Sequence, residues 1–408
     1  RTLNNVKSIS DAFHYYEHLA NDLNDLPKVA QVKLNGGLGT SMGCKGPKSL
    51  IKCDANGHCF IDKIVQMHIS SPISSDLIFL NSFNTSKETR SFMNANYSGL
   101  NWTEVLQFPF KKINLKTNQP FEGNDPFFFN PPGHGSVYFD LYHAGILHQL
   151  QTNGVDYLFI SNADNLAANC DPKIAAFLKQ TKTSFLIELT KKRQQDIKGG
   201  TIVSCDDQFK LWEIAQVNSD QMNLFKSQPF FNTNNIWVNI TDLISVIESN
   251  ALSLDLILNK KSTSNYSFVQ LEYAMGSAIQ SFSNAQVMIV PRHRFFPVKR
   301  TTDLLLLLSD YVEFSESGIP IWDSQHVIDI QLHPPFDSVD GFLNCFSVIP
   351  SIKSLDALEL KGNVYFNHHV RLKNTVKILL DANDDLHLDD TIKELTNVDY
   401  IDGHFSAL

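Results

Sequence analysis

The sequence has few cysteines, no long apolar segment and no excess of basic residues, and each absence excludes a class of protein. Its six cysteines in 408 residues include no Cys-x-x-Cys pair and no His/Cys cluster with zinc-ligand spacing, which excludes a disulfide framework and a structural zinc site. The most hydrophobic piece, Leu304–Leu308, is far shorter than the ~20 residues of a membrane helix. A formal charge of −9 and a pI near 5.8 argue against a nucleic-acid binder, which needs a basic face. We therefore expect a cytoplasmic protein with reduced thiols, which meets anionic ligands locally.

The hydrophobic content of the chain is 43%, which is enough to bury a large core. Because single cores stop growing near ~250 to 300 residues, a chain of 408 residues is expected to form more than one folding unit. From Val29 to about Val312, short β-rich runs alternate with amphipathic segments. This alternation is typical of an α/β protein, and it predicts a doubly wound, mostly parallel mixed sheet covered by helices. The predicted strands are Val29–Leu34, Asp76–Ser82, Thr103–Gln107, Asp156–Ile160, Ser184–Leu189 and Val287–Val290.

Turn and cap residues place helices between these strands. Helices are predicted over Phe60–Ile69, over Ser86–Asn96 from a Thr85 cap, and over Val137–Leu150, which ends at Asn153 and Gly154. Residues 1–27 are predicted to form one helix. The segment Thr201–Val217 instead predicts a β-hairpin with Asp206 and Asp207 at its turn.

Beyond about Pro335 the pattern changes. Phe336–Ser347 is predicted as a linker helix, and from Leu358 onward short β-rich pieces (NVYF, VRL, VKILL) are separated by two or three polar residues. This spacing is typical of the small turns of a β-solenoid, of the left-handed β-helix kind. An ordinary antiparallel appendage would produce a similar pattern, so both remain open.

A glycine-rich stretch follows the first predicted strand. Leu34–Ser49 reads LNGGLGTSMGCKGPKS, with five glycines and two lysines in sixteen residues. The dinucleotide fingerprint fails, because Met42 stands three residues after Gly39, and a Walker A loop fails, because Gly43 is followed by Cys44.

Although neither known motif matches, the stretch has the general features of a phosphate-binding loop. A strand ends in a glycine loop whose N–H groups point outward at the carboxyl edge of a parallel sheet, where α/β proteins bind ligands. Lys45 and Lys48 add positive charge. The alternative is a mobile surface loop with solvated lysines.

The glycine stretch closely resembles the signature loop of the UTP–glucose-1-phosphate uridylyltransferases, the eukaryotic-type UDP-glucose pyrophosphorylases. Asn35 and Ser41 favour this branch over the pyrophosphorylases for N-acetylhexosamines. The resemblance continues in matching order along nearly the whole chain, through NPPGHGSVY (Asn130–Tyr138), SNADN (Ser161–Asn165), KGGT (Lys198–Thr201), WEIAQV (Trp212–Val217), FNTNNIWVN (Phe231–Asn239), QLEYAMGSAI (Gln270–Ile279) and VPRHRFFPVK (Val290–Lys299).

The resemblance implies a nucleotidyltransferase with a Rossmann-like core, which converts UTP and glucose 1-phosphate to UDP-glucose and pyrophosphate. The nucleophile is a phosphate oxygen that is already ionised at neutral pH, so no general base is needed. Catalysis then consists of positioning and cationic stabilisation of an in-line attack on the α-phosphate. It also implies three segments, namely an N-terminal helical segment (1–27), a catalytic domain (28–335) and a linker helix with a β-helix-like domain (336–408).

The family's site residues carry over to named positions. Lys48, Lys299 and Asp164 are the implied catalytic residues, with Asp164 the implied ligand of Mg²⁺. The implied nucleotide-binding residues are Leu34, Asn35, Gly36, Gly37, Gln107, Gly133 and Asn162. The implied residues for the sugar and its phosphate are His134, Gly200, Glu213, Asn232 and Asn234.

Each role has a structural alternative. Gln107 is a polar residue at a strand end, Asp164 sits where an Asx turn is common, and Glu213 could form an exposed salt bridge. Ser136 stands where relatives often carry an acid. Around Lys299 the density of cations suggests an anion nearby; these cations are Arg292, Arg294 and Arg300. The run Lys191–Arg193 is interpreted as a solvated face.

Three functions are compatible with the sequence. The leading one is the Mg²⁺-dependent glucose enzyme; the others are a UDP-sugar pyrophosphorylase of relaxed specificity and a catalytically silent UDP-sugar sensor. The implied partners are small molecules, with neither nucleic acid nor membrane among them. The C-terminal segment is compatible with homo-oligomer assembly or with a mobile flap, and the redox sensitivity of Cys44 stays open.

Overall fold

The computed structural model describes residues 6–7, 12–194, 196, 199–205, 208–381, 384–401 and 403–407. The chain divides into two compact units, and it passes from one to the other several times. Unit 1 consists of Arg1–Gly37, His68–Asn162 and Ala168–Phe295. Unit 2 consists of Leu38–Met67, Ala163–Ala167 and Phe296–Leu408.

Unit 1 is a mixed α/β structure. Its strands are β1 (Val6–Lys7), β2 (His14–Tyr15), β3 (Val29–Asn35), β4 (Ser74–Asn81), β5 (Trp102–Leu106), β6 (Phe110–Lys111), β7 (Ile113–Asn114), β8 (Gln119–Pro120), β9 (Phe129–Asn130), β10 (Tyr157–Asn162), β11 (Phe185–Lys191), β12 (Gly200–Cys205), β13 (Gln208–Glu213), β14 (Phe230–Asn239), β15 (Leu256–Ser262), β16 (Ser267–Tyr273) and β17 (Ala285–Val290). The helices up to the end of unit 1 are α1 (Phe60–Ser70), which begins in unit 2, α2 (Ser86–Asn96), α3 (Val137–His143), α4 (Ile146–Thr152), α5 (Pro172–Thr181), α6 (Met222–Lys226) and α7 (Ile240–Glu248).

The central sheet has eight strands in the order β2-β17-β11-β14-β10-β3-β4-β5. All neighbours are parallel except β14, which runs antiparallel to both β10 and β11. β3 and β10 are almost continuously buried, as expected for strands covered on both faces. The predicted mixed, mostly parallel α/β sheet is confirmed, and each predicted strand lies within two residues of an observed one. Sequence analysis missed β14, because it interpreted that segment only as a motif.

Two helix predictions are wrong. The predicted helix Val137–Leu150 is two helices, α3 and α4, because Gly145 has φ +74° and interrupts the helical backbone. The described residues 12–27 contain no α-helix; the chain there forms β2 and a short 3₁₀ turn. The reason is tertiary pairing, since His14 and Tyr15 add to the sheet beside Met288 and Ile289.

The predicted hairpin is confirmed as the antiparallel pair β12 and β13, whereas Asp206 and Asp207 at its turn lie outside the described residues. Helix α2 begins where it was predicted, with Thr85 at the N-cap position. The Thr85 side chain makes no capping hydrogen bond; its hydroxyl accepts from the backbone N–H of Ser82 instead.

Unit 2 contains a sheet dominated by parallel pairs. Its strands are β18 (Glu313–Phe314), β19 (Pro320–Ile321), β20 (Asp329–Leu332), β21 (Ser351–Lys361), β22 (Asn363–Phe366), β23 (Arg371–Leu379), β24 (Asp385–Leu388), β25 (Glu394–Ile401) and β26 (His404–Ala407), and its further helices are α8 (Thr301–Leu308) and α9 (Val339–Cys345). Strands β20, β21, β23 and β25 pair in parallel in that order, β22 pairs with β24 in parallel, and β26 is antiparallel to β25.

Helix α9 lies inside the predicted linker helix, but the predicted pieces VRL and VKILL fall in the single strand β23, which begins at Arg371. The division by contacts also differs from the sequence-based segments, because residues 296–335 belong to the same unit as the C-terminal strands. In the part of the chain that the structure describes, no helix has the length and apolar character needed to span a membrane.

Candidate active site

In unit 1, the carboxyl ends of adjacent parallel strands bring predicted nucleotide residues together. Asn162 at the end of β10 pairs with Leu34 near the end of β3. The Asn35 side chain is buried and donates to Asn81 Oδ1 (2.8 Å) and Thr89 Oγ1 (3.0 Å). Its amide therefore holds the sheet edge together, which agrees with the expected role of its backbone, rather than its side chain, in binding.

Gln107 meets two of the predicted glycines. Its Nε2 donates to Gly133 O at 2.8 Å and to Ser136 Oγ at 3.2 Å. A Cβ atom on Gly36 would lie 2.3 Å from Gln107 Oε1, so only glycine allows this approach. Gln107, Gly36 and Gly133 thus form one cluster, although they are distant in sequence.

The structure requires glycine at position 133 but not at position 37. A Cβ on Gly37 would meet nothing within 4 Å among the described atoms, so packing does not explain this glycine. Gly133 has φ +79°, and a Cβ there would lie 2.8 Å from Tyr273 O. Gly133 is therefore fixed by backbone conformation and by packing, whereas Gly37 leaves open space at the end of β3.

Three amide residues meet where β14 faces β10. Asn162 Oδ1 accepts a hydrogen bond from Asn234 Nδ2 at 3.0 Å, and Asn232 Oδ1 accepts from the backbone N–H of Asn234 at 2.9 Å. The β11–β14 register shifts between Glu188 and Leu189, and Asn234 has φ +61°. This bulge re-aims the Asn234 side chain toward Asn162.

Gly200 and Glu213 are directly opposite in the β12–β13 hairpin. A Cβ on Gly200 would lie 2.9 Å from the Glu213 carboxyl carbon, so glycine is required for the carboxyl group to lie over the strand. Burial raises the pKa of Glu213 from 4.5 to about 7. The expected alternative of an exposed salt bridge at Glu213 is wrong, because none of the described cations pairs with it and its side chain is largely buried.

The His134 side chain has a defined orientation. Its Nδ1 accepts a hydrogen bond from the backbone N–H of Met275 at 3.0 Å. A ring nitrogen that accepts is unprotonated, so the neutral ring carries its proton on Nε2. The predicted phosphate contact of His134 would therefore use Nε2–H as a donor.

The three predicted catalytic residues meet in unit 2. Lys48 Nζ and Lys299 Nζ both donate to Asp164 Oδ2, at 2.9 Å and 2.7 Å. Lys48 follows Pro47 and begins a 3₁₀ turn, and the loop before it is closed by a bridge between Leu38 and Pro47. The alternative of a solvated loop lysine is wrong for Lys48, whose side chain is only 13% exposed.

Asp164 is held ionised by these lysines. Burial raises its pKa, but Lys299 and then Lys48 outweigh burial and lower the pKa to about 2. Its second oxygen, Oδ1, is buried and accepts no hydrogen bond from the described residues. Two cations converge on one carboxylate oxygen, and the other oxygen has no hydrogen-bond partner among the described residues.

The backbone around Asp164 is joined to the segment that carries Lys299. The N–H of Val298 donates to Asp164 O at 3.0 Å, and Asn165 forms an antiparallel bridge with Pro297. Asn165 Oδ1 also accepts from the N–H of Phe296 at 2.9 Å. Sequence analysis assigned no role to Asn165, although its place at the end of SNADN was an available signal.

Two of the three arginines near Lys299 in sequence, Arg292 and Arg294, pair with carboxylates of the protein. Arg294 is 2% exposed and donates to both oxygens of Glu188, at 2.9 Å and 2.8 Å, and to Asp171. Arg292 donates to both oxygens of Asp196, at 2.7 Å and 3.0 Å. The prediction that these cations indicate a nearby anionic ligand is wrong for both, because protein carboxylates already neutralise them.

In unit 1, a mostly parallel sheet with glycine and amide residues at its carboxyl ends is the arrangement typical of α/β proteins that bind nucleotides. The model of the UTP–glucose-1-phosphate uridylyltransferase family matches residues 2–373. The enzyme of that name from Solanum tuberosum is 38% identical over 385 residues, which cover 90% of this chain and 80% of the relative. The one from Saccharomyces cerevisiae is also 38% identical, over 375 residues, with 88% and 75% covered. The chain belongs to the UTP–glucose-1-phosphate uridylyltransferase family.

Solved structures agree with this assignment. A variant of UDP-glucose pyrophosphorylase from Leishmania major in complex with UDP-glucose matches with a TM-score of 0.88 at 30% identity, covering 97% of this chain and 90% of that one. UDP-glucose phosphorylase from Trypanosoma brucei matches with a TM-score of 0.85, 30% identity and the same coverage. The similarity therefore extends over nearly the whole chain.

Proposed function

We propose that Lys48, Asp164 and Lys299 catalyse the reaction of the family, in which UTP and glucose 1-phosphate give UDP-glucose and pyrophosphate. Membership of the family establishes the reaction. The observation that supports these three residues is the convergence of both ammonium groups on Asp164 Oδ2. Together the three side chains carry one net positive charge.

The chemistry needs cations more than a base. Both reactants are anions, and the attacking phosphate oxygen is already ionised, so the barrier is dominated by charge repulsion and positioning. Lys299 is proposed to stabilise the sugar phosphate and the α-phosphate, and Lys48 the departing pyrophosphate. Asp164 keeps the two ammonium groups at a fixed separation before substrates bind.

Mg²⁺ fits the residues around Asp164. One carboxylate, phosphate oxygens and water are the proposed ligands, a set of hard oxygen donors that Mg²⁺ prefers. The buried, unpartnered Asp164 Oδ1 is the proposed ligand. When bound, Mg²⁺ supplies positive charge to the phosphate oxygens.

Unit 1 is proposed to bind the uridine and the sugar. Gln107 reads the uracil edge beside Gly36 and Gly133, and the backbone of Leu34, Asn35 and Gly37 holds uracil and ribose. The hydroxyls of the sugar are proposed to be bound by neutral or protonated groups, which can both donate and accept; these are Gly200, Glu213, Asn232 and Asn234, with Asn162 toward the ribose and His134 toward the sugar phosphate.

The assay that tests this function is pyrophosphate release from UTP and glucose 1-phosphate, with ATP and dTTP in place of UTP as controls. We expect release with UTP and glucose 1-phosphate, and its loss without Mg²⁺. Equal efficiency with galactose 1-phosphate would support relaxed specificity instead. UDP-glucose binding without any turnover would support the silent sensor. The comparisons favour neither alternative, since the matched relatives carry the name of the glucose enzyme.

For the chain as a whole we propose a catalytic domain over 28–335, preceded by residues 1–27, and a C-terminal β-solenoid with its linker helix over 336–408. Support for the solenoid comes from the parallel pairing, which stacks buried Leu358 and Val376 and partly buried Val398 in successive strands. We propose that this segment mediates homo-oligomer assembly. Light scattering across protein concentrations tests it, and a monomer at every concentration would contradict it.

A cytoplasmic location is proposed from the cysteines. The 408 residues include six cysteines, and five of these are buried. Burial raises the pKa of the partly exposed Cys44, which favours an unreactive thiol there. Cell fractionation with an antibody to this chain tests the location, and recovery outside the cytoplasmic fraction would contradict it.

A further inference from the structure

Asp303 lies in the first turn of α8, close to Lys299 in the chain. Its Oδ2 accepts two backbone hydrogen bonds, from the N–H of Lys299 at 2.8 Å and from the N–H of Arg300 at 2.9 Å. An acidic residue at this position commonly bonds back to the N-cap residue, here Arg300, and so forms a capping box. The second bond, to Lys299, goes beyond helix capping.

We propose that Asp303 is a positioning residue that fixes the backbone of Lys299, so that the Lys299 ammonium group is held at Asp164. This inference rests on the proposed role of Lys299 in catalysis. Asp303 touches neither substrate nor metal in this proposal. It acts only through the lysine.

The backbone on both sides of Lys299 is held. On one side, the N–H of Val298 donates to the carbonyl of Asp164. On the other, Asp303 binds the N–H groups of Lys299 and Arg300. A lysine side chain has several rotatable bonds whose freedom it must lose to hold one position, so a fixed backbone limits the disorder that remains to its four methylene groups.

The Asp303 carboxylate costs stability where it lies. Burial raises the pKa of Asp303. The backbone hydrogen bonds from Lys299 and Arg300 and the charges of Arg300 and Lys48 lower the pKa, but burial outweighs them. A mainly buried carboxylate is unfavourable unless its bonds compensate for the lost water.

The test compares Asp303→Ala with Asp303→Asn, and with Asn239→Ala as a matched control. Asn239 caps α7 by accepting from the N–H of Asp242 at 3.0 Å, and it lies in β14 beside Tyr157 at the other end of β10 from Asn162.

For Asp303→Ala we expect kcat per folded molecule to fall about 10- to 100-fold, because small misplacements of a catalytic group cost up to about 10² in rate. The KM values should stay within about threefold. Asp303→Asn should keep most of kcat, since its amide oxygen can accept both bonds.

Asn239→Ala should lower the thermal midpoint without changing kcat, since loss of a cap weakens only the helix. A double-mutant cycle with Lys299→Ala separates positioning from general stability. If Asp303 acts through Lys299, then Asp303→Ala lowers kcat no further once Lys299 is absent. Equal losses with and without Lys299 would overturn the inference.

The cycle also separates this inference from the proposed function. Unchanged turnover in Lys299→Ala contradicts the function, whereas a large loss there with no loss in Asp303→Ala contradicts only the positioning role. If Asp303→Ala does not fold, Asp303→Glu replaces it, because glutamate keeps the charge but moves the carboxylate by one methylene. It should lower kcat about threefold or more with Lys299 present and have no effect without it.

Discussion

Two groups of charged side chains follow similar sequence signals but have opposite charge balance. In unit 1, the guanidinium of Arg294 is directed at two carboxylates, Glu188 and Asp171. In unit 2, two ammonium groups, Lys48 and Lys299, are directed at one carboxylate, Asp164. The first group has one cation for two carboxylates, whereas the second has two cations for one carboxylate. The ratio of cations to carboxylates, rather than the density of cations in the sequence, distinguishes the two groups.

The largest expected effect tests the structural side of this comparison. In Arg294→Ala, Glu188 is left buried without its cation, so we expect the free energy of unfolding to fall by about 3 to 5 kcal/mol. Denaturant unfolding measures this loss. The turnover number of the remaining folded protein should stay close to that of the wild type, and a selective loss of turnover would place Arg294 in the catalytic group.

The catalytic side is tested by Lys299→Ala. Loss of one preorganised charge that stabilises a transition state costs about 10²- to 10³-fold in kcat, while UTP binding measured by calorimetry should change little. The free energy of unfolding should also change little, because the Lys299 side chain is 56% exposed and exposed ion pairs contribute about 0 to 1 kcal/mol. Wild-type turnover in this variant would remove Lys299 from the mechanism.

Asp164→Asn sharpens the comparison by removing the carboxylate and keeping both lysines. The amide is a weaker ligand for a hard cation, so we expect the Mg²⁺ concentration for half-maximal rate to rise by about tenfold or more. A titration of initial rate against Mg²⁺ measures it. An unaltered titration would assign Asp164 to structure alone.

Glu213 provides a third case, a carboxylate that pairs with none of the described cations. Its folded pKa of about 7 lies above the ordinary 4.5, so the protonated form stabilises the fold below pH 4.5 and this contribution is lost as pH rises through about 7. Relative to Glu213→Gln, the wild type should lose about 2 to 3 kcal/mol of unfolding free energy between pH 5 and pH 8. Denaturant unfolding at several pH values checks this, and a constant difference would mean that Glu213 is ionised throughout.

The sequence predicted those features that depend on local pattern. Buried runs such as Val29–Leu34 identified the parallel strands, and their order placed Leu34, Asn35 and Asn162 at one sheet edge. Gln107 was predicted only through a loose resemblance; the structure places it against Gly36 and Gly133, and its role stays a prediction.

What the sequence could not predict depends on tertiary pairing. Nothing near Arg294 indicates that Glu188, more than one hundred positions earlier, will neutralise it. The pairing of His14 with Met288, which replaces the predicted helix, is equally non-local. Interruption of the helix at Gly145 was a local signal, but periodicity on both sides concealed it.

The backbone links between Asp164–Asn165 and Phe296–Val298 have a further consequence for turnover. Hydrogen bonds join these two segments, so a displacement of one segment would carry the other with it. The backbones of Asp164 and Lys299 would then move together. Lys48 reaches Asp164 through its flexible side chain. We therefore propose that Asp164 and the backbone of Lys299 keep their separation during turnover.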